Sequence, residues 1–234
     1  ETNLVSNVGV VATDVSAVGT ARRFLMATEY GYDKGIFGYG YDGSSAVSMT
    51  NLVSNAGVVA TDVTGVGTTR YSGGACGYGG DKGIFGYGET TAVTNLVSNV
   101  GVVATDTTGV GTARYGLAAT EYGGDKGIFG YGYGYVSMSN LVSNAGVVAT
   151  DVTGVGTARS NLAACGYGYD KGIFGFGYNG SHLSMTNLVS NAGVVATDVT
   201  GVGDTRKGLG ACEYGGDKGI FGFGDESNVY TAVT

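Results

Sequence analysis

Asp33-Lys34-Gly35-Ile36-Phe37-Gly38-Tyr39-Gly40 returns, with Phe in place of the Tyr in the last two copies, as Asp81 to Gly88, Asp125 to Gly132, Asp170 to Gly177 and Asp217 to Gly224. Five copies of one segment mean one structural unit used five times. Period two puts Gly35, Phe37 and Tyr39 on one face and Lys34, Ile36, Gly38 and Gly40 on the other, the alternation of a β-strand. A sheet with rings on one side and bare backbone on the other can pack against a rotated copy of itself, ring onto glycine. Nothing stops that stacking until the circle closes.

Taking Asn3 of Asn-Leu-Val-Ser-Asn as a marker, the copies fall at Asn51, Asn95, Asn140 and Asn187, spacings of 48, 44, 45 and 47 residues. Such spacings fit a four-stranded propeller blade and exceed one coil of most β-solenoids. Within one unit the pattern predicts strand a from Arg114 to Tyr122, b from Lys126 to Gly132, c from Val136 to Ser143 and d from Val147 to Thr153, with a turn at Ser143-Asn144-Ala145-Gly146. The chain ends Tyr230-Thr231-Ala232-Val233-Thr234, residues that elsewhere precede the marker, and begins Glu1-Thr2-Asn3. The expected fold is therefore all-β: residues 1–234 as a single five-bladed β-propeller of four-stranded blades, closed by the N-terminal strand completing the last blade. Starting at Glu1 in mid-repeat, the chain is expected to be a processed product or a piece of something longer.

The units resemble the kelch-type β-propeller repeat. The resemblance rests on Thr-Ala-Arg opening an inner strand, then Gly-Ile-Phe-Gly-Tyr-Gly running into Tyr41-Asp42-Gly43 or Tyr178-Asn179-Gly180. The family's paired glycines are split by an aromatic, and its strand-d Trp is missing. The wording Asn-Leu-Val-Ser-Asn-x-Gly-Val-Val-Ala-Thr-Asp is also similar to repeat arrays encoded by tailed phages and environmental bacteria, which implies a virion or extracellular surface.

Composition narrows the function classes. The 234 residues, 43% of them hydrophobic, suffice for one all-β core, and the 47 glycines recur at fixed places as turns and close contacts rather than as disorder. Ten repeated cations balance ten repeated aspartates, so Arg23 and Lys207 against nine remaining acids make up the net charge of −7. No basic stripe offers itself to a phosphate backbone, so nucleic acid is not an expected partner. No apolar run reaches the ~20 residues of a membrane span, and no leader opens the chain. It reads as a soluble body with no membrane partner.

Few residues carry chemistry. One imidazole, His182, is too few for a copper site, and it is expected exposed in a b–c loop. Gly-Tyr-Gly without membrane helices is no selectivity filter, and Gly79-Gly80-Asp81 lacks the nine-residue period of calcium rolls. Cys76, Cys165 and Cys212 share one strand-a position with Thr28 and Thr120, expected as small reduced packing residues; a Cys165 to Cys212 bridge is the alternative. Glu29, Glu121 and Glu213 follow that position. They are expected as solvated residues near the a–b turn, with an axial glycoside-acting site as the alternative. The five copies of Ala-Thr-Asp, each followed eight residues on by Arg, are expected to form a ring of ion pairs or Asx-type turn contacts fixing each d–a connection. No cofactor and no metal are expected, and the chain is read as no enzyme.

The copies differ mainly where the d–a and b–c loops emerge. That face gathers Arg23, Phe24, Tyr41, Asp42, Tyr71, Tyr115, Tyr133, Tyr135, Asn161, Tyr178, Asn179, His182, Lys207 and Asp225, together with Glu89, Asp204, Glu226 and Tyr230. Tyrosine mixed with Asn, Ser and acids is how proteins build adaptable recognition surfaces. The expected function is a non-catalytic recognition or display module whose loop face takes a glycan or another protein. A purely architectural ring, with loops drifting freely, is the other reading.

Overall fold

The computed structural model describes residues 1–226 and the backbone of 229 and 230. The units form separate antiparallel sheets: β1 (Met26–Tyr30), β2 (Lys34–Tyr41) and β3 (Ala46–Val53); β4 (Gly74–Tyr78), β5 (Lys82–Gly86) and β6 (Thr94–Val97); β7 (Ala118–Tyr122), β8 (Lys126–Gly132) and β9 (Val136–Val142); β10 (Ala163–Tyr167), β11 (Lys171–Tyr178) and β12 (His182–Val189). Two-stranded sheets follow, β13 (Gly210–Tyr214) with β14 (Lys218–Gly222), and β15 (Asp225–Glu226) with β16 (Val229–Tyr230). The first strands β1, β4, β7, β10 and β13 contact one another in succession and line one cavity.

The expected propeller of four-stranded blades is not what forms. The sheets have two or three strands and none is closed. The predicted strand d is only a bridged segment, touching its neighbour at Val142↔Val148 and Ser139↔Val152. Its ladder is interrupted by a side chain: Asn140 Nδ2 donates to the Ala149 carbonyl at 3.0 Å, and Asn51, Asn95 and Asn187 do the same in their units. The carbonyl that would pair with a strand is already taken. Strand a also starts later than predicted, at Ala118 instead of Arg114.

Closure by the N-terminal strand is likewise overturned. The N-terminal segment folds on itself through Thr2↔Val15 and Val5↔Val11 instead of adding to β14. Residues 231–234, the expected seam, and the side chain of Tyr230 lie outside the described residues.

The ring-on-glycine packing does form. A Cβ on Gly38 would lie 2.8 Å from Phe85 Cζ, one on Gly86 2.7 Å from Phe129 Cζ, one on Gly130 2.6 Å from Phe174 Cζ and one on Gly175 2.8 Å from Phe221 Cζ. Each Phe thus lies flat on the backbone of the unit before it. Three buried clusters sit at the unit boundaries, for example Tyr78, Ile84 and Tyr87 with Phe129 and Val142 of the next unit.

The face assignment needs one correction. Tyr39 was placed beside Phe37, but a bulge between Gly38 and Gly40, with Tyr39 at φ 61°, turns its ring to the Gly38 side. There it meets Phe85 edge-on at 5.2 Å. Tyr87, Tyr131 and Phe176 repeat this with Phe129, Phe174 and Phe221.

Over each such ring lies the guanidinium of the next unit: Arg70 on Tyr39 at 3.9 Å, Arg114 on Tyr87 at 4.4 Å, Arg159 on Tyr131 at 4.1 Å and Arg206 on Phe176 at 4.5 Å. The aspartate partner is not the one expected eight residues earlier. Arg22 pairs with Asp62, Arg114 with Asp151 and Arg159 with Asp198, the Asp that closes the same unit. Asn140 joins them, accepting from Arg114 Nη2 at 2.7 Å and donating to Asp151 at 2.9 Å. Burial raises the Asp151 pKa, yet bonds from Thr112 and Asn140, with Arg114 nearby, outweigh it and hold the carboxyl below its ordinary value. Arg70, Arg114 and Arg159 are each held between a ring of the unit before and an Asn side chain.

Candidate functional site

Two regions of the molecule bring side chains together, the variable loop face and the cavity between the first strands. On the loop face the backbone is more regular than the sequence. Ser72 N donates to the Phe24 carbonyl at 3.0 Å, Gly116 N to Ser72 at 2.8 Å, Asn161 N to Gly116 at 2.8 Å and Gly208 N to Asn161 at 2.9 Å. These five residues share φ between 52° and 63° although they read Phe, Ser, Gly, Asn and Gly. Only Gly and Asn adopt this left-handed conformation cheaply, so those three copies carried the signal for all five.

Side chains on this frame collect into two patches. In the first, Arg23 lies 5.3 Å from the Phe24 ring and 5.2 Å from Tyr41, while Tyr71 meets Tyr41 at 5.5 Å and Phe24 at 6.0 Å. In the second, Tyr115 stacks on Tyr133 at 4.4 Å, and Tyr135 links Tyr133 at 6.1 Å to Tyr178 at 6.2 Å. Lys207 lies over Tyr178 at 4.3 Å and reaches Asp225 at 3.5 Å. Phe24, Tyr133 and Tyr135 are exposed.

Three expected ligand contacts are differently employed. His182, expected exposed, is 12% exposed, packed edge-on against Tyr178 at 5.4 Å with Nε2 3.6 Å from Asp225. Asp42 accepts from Ser44 N and Ser45 N at 2.8 Å each, and these bonds hold its carboxyl below the ordinary value. Asn179 accepts from Ser181 N at 3.4 Å. Asp42 and Asn179 thus shape their own turns. Tyr32 and Tyr169, the most exposed tyrosines, were missed; they stand at left-handed a–b turn positions with φ 68° and 70°, where other units have glycine.

The cavity measures about 680 Å³ and is lined by Thr28, Glu29, Cys76, Glu121, Cys165 and Glu213 among others. Of the three carboxylates expected as solvated residues, Glu29 and Glu213 are exposed and Glu121 is half-buried. Glu121 is pushed up to about 7 by burial and by the charges of Glu29 and Glu213, against one lowering bond from Gly77. Glu213 is raised too, by burial and then by Glu29. Gly77 and Gly166 are the residues against which these carboxylates lie: a Cβ on Gly77 would collide with Glu121 Oε1, and one on Gly166 with Glu213 Oε1. In the order Glu, Gly, Glu, Gly, Glu at positions 29, 77, 121, 166 and 213, Glu121 and Glu213 are each seated on the glycine of the unit before. Among the described residues no group of His, Cys, Asp or Glu is placed to hold a metal ion.

The cysteines are free thiols, Cys76 and Cys165 buried and Cys212 exposed. Each buried one sits under the next unit, with a Cβ on Gly127 falling 2.6 Å from Cys76 Sγ and one on Gly219 2.6 Å from Cys165 Sγ. Burial, then Glu213 and Cys212, pushes the Cys165 thiol up to about 11, so it is a poor nucleophile. Titration of the denatured, unreduced protein is expected to count three thiols; fewer would reveal a bridge.

No protein-family model matches the chain and no curated protein is similar to it, so the kelch resemblance rests on the quoted residues alone.

Proposed function

We propose that the chain is a non-catalytic recognition module that binds carbohydrate on the loop face. The observation that carries this reading is the hydrogen-bonded row of five like backbone conformations occupied by four different residue types, Phe, Ser, Gly and Asn. Loops that drift freely lose their shape along with their sequence; here only the side chains vary. Aromatic faces match the C–H face of a sugar ring, and phenol hydroxyls serve its hydroxyls. Phe24 with Tyr41 and Tyr71, and Tyr133 with Tyr135, offer two unequal subsites. Each alone is weak and useful when several are presented together.

The test is a glycan array and calorimetry on the intact chain beside a variant carrying Tyr41→Ala, Tyr71→Ala, Tyr133→Ala and Tyr135→Ala. Binding by the parent and a loss of about tenfold or more in the variant is expected, since each stacking contact contributes on the order of 0.5–1.5 kcal/mol. No binding on either assay, with both proteins folded, leaves an architectural role in its place.

A second reading draws on the cavity. Glu121, raised to about 7, could deliver a proton near neutral pH while a less shifted neighbour stays ionised, the division of labour glycoside hydrolysis requires. Turnover of chromogenic glycosides that disappears in Glu121→Gln would favour it over the binding module.

A further inference from the structure

The internal unit boundaries share one joint. An aromatic ring of the earlier unit (Tyr39, Tyr87 or Tyr131) enters a seat on the later one. Its hydroxyl donates to the carbonyl of Val66, Val110 or Val155, the next arginine covers its face, and the next Phe meets its edge. The three rings are fully buried.

The two ends of the array carry the two halves of this joint, unmated. At the first unit lies a pocket of about 390 Å³ lined by Val18, Gly19, Arg22, Phe37 and Asn51, the counterparts of Val66, Gly67, Arg70, Phe85 and Asn95 that seat Tyr39. It is a seat without a ring. At the fifth unit Phe223 occupies the position of Tyr39, with the same φ of 61°, yet is 60% exposed. It is a ring without a seat. The residues round it agree: Ile220 is 42% exposed where Ile36 is 1%, and Cys212 is exposed where Cys76 and Cys165 are covered by the next unit.

We infer that these ends join copies of this chain head to tail, Phe223 of one copy entering the Val18–Arg22–Phe37 seat of a second copy. The occupant follows from the chain's own joints: three are built on Tyr, and in the fourth Phe176, a Phe like Phe223, is buried against Phe221 and Arg206. Because the two surfaces differ, the contact is heterologous, and copies add in sequence, end to end.

Sedimentation velocity of the intact chain over a dilution series, with native-state labelling of Cys212 by a thiol reagent, tests this. The expected result is a mass that grows with concentration while Cys212 becomes protected in step. Phe223→Ser, which alters an exposed side chain, should weaken association at least about tenfold, the effect of losing one buried aromatic ring. Val18→Asp, at the rim of the seat, should do the same, and mixing the two variants should not restore large assemblies. A monomer at all concentrations overturns the inference; if Cys212 is then also protected, the seat is taken by Phe223 of the same chain. Failure here leaves the carbohydrate reading untouched, since the loop face takes no part in the joint.

Discussion

Phe129→Ala is expected to destabilise the protein by about 3–5 kcal/mol, a drop in urea midpoint large enough to read without fitting. Its ring is fully buried, lies flat on Gly86 and meets Tyr87 edge-on at 5.2 Å, so its loss opens a void at a unit boundary that rigid backbone cannot fill. Phe37→Ala is the internal control. The same residue at the same position of the repeat lines a partly open pocket at the first unit, and its loss should cost about 1–2 kcal/mol. Equal costs at the two positions would mean that ring-on-glycine packing does not hold the units together.

Glu121→Gln is expected to stabilise the protein above neutral pH and to change little below pH 5. The carboxyl titrates at about 7 in the folded chain against an ordinary 4.5, because it is buried and faces Glu29 and Glu213. A pKa raised by folding means stability that is complete below about 4.5 and is lost as pH rises through about 7. By pH 8 the ionised group costs on the order of 2–3 kcal/mol, and the amide removes that cost. Melting curves of parent and variant from pH 4 to 9 should therefore coincide at the acid end and diverge above about pH 6. Parallel curves would place Glu121 in solvent. Gly77→Ala, which pushes the carboxylate off its seat, should lower the same midpoint toward the ordinary value while destabilising the boundary.

Much of this architecture is legible in the sequence because it depends on residue type at fixed spacing. The repeat, the Lys126–Gly132 strand and the meeting of Phe with Gly are of this kind. What was not legible depends on backbone choices that composition does not signal. Tyr39 sits at positive φ although glycines flank it on both sides, so counting by twos put its ring on the wrong face. The Asn51 side chain occupies a carbonyl that a fourth strand would have used, and an amide in an otherwise strand-like run gives no hint of that. Arg22 reaches Asp62, forty residues ahead, rather than Asp14, eight behind; the repeat makes the two aspartates indistinguishable until the chain is folded. The loop-face residues were found by their variability, and their grouping into two patches was not, since it depends on which loops lie side by side. Glu121 was grouped with Glu29 and Glu213 as a solvated residue, and what sets it apart is how much of it the fold covers.

The row of amide hydrogen bonds from Phe24 to Gly208 uses no side-chain atom. Phe, Ser, Gly and Asn all stand in it without altering its course, so selection can rewrite what the face displays while leaving the chassis intact. Copying a unit then duplicates a blank display position along with its support. On the carbohydrate-binding reading proposed above, a lineage built this way would acquire new specificities by editing the pair of residues behind each arginine, at a stability cost confined to one left-handed residue of about 1–2 kcal/mol. Affinity and foldability become separately tunable properties of one short repeat.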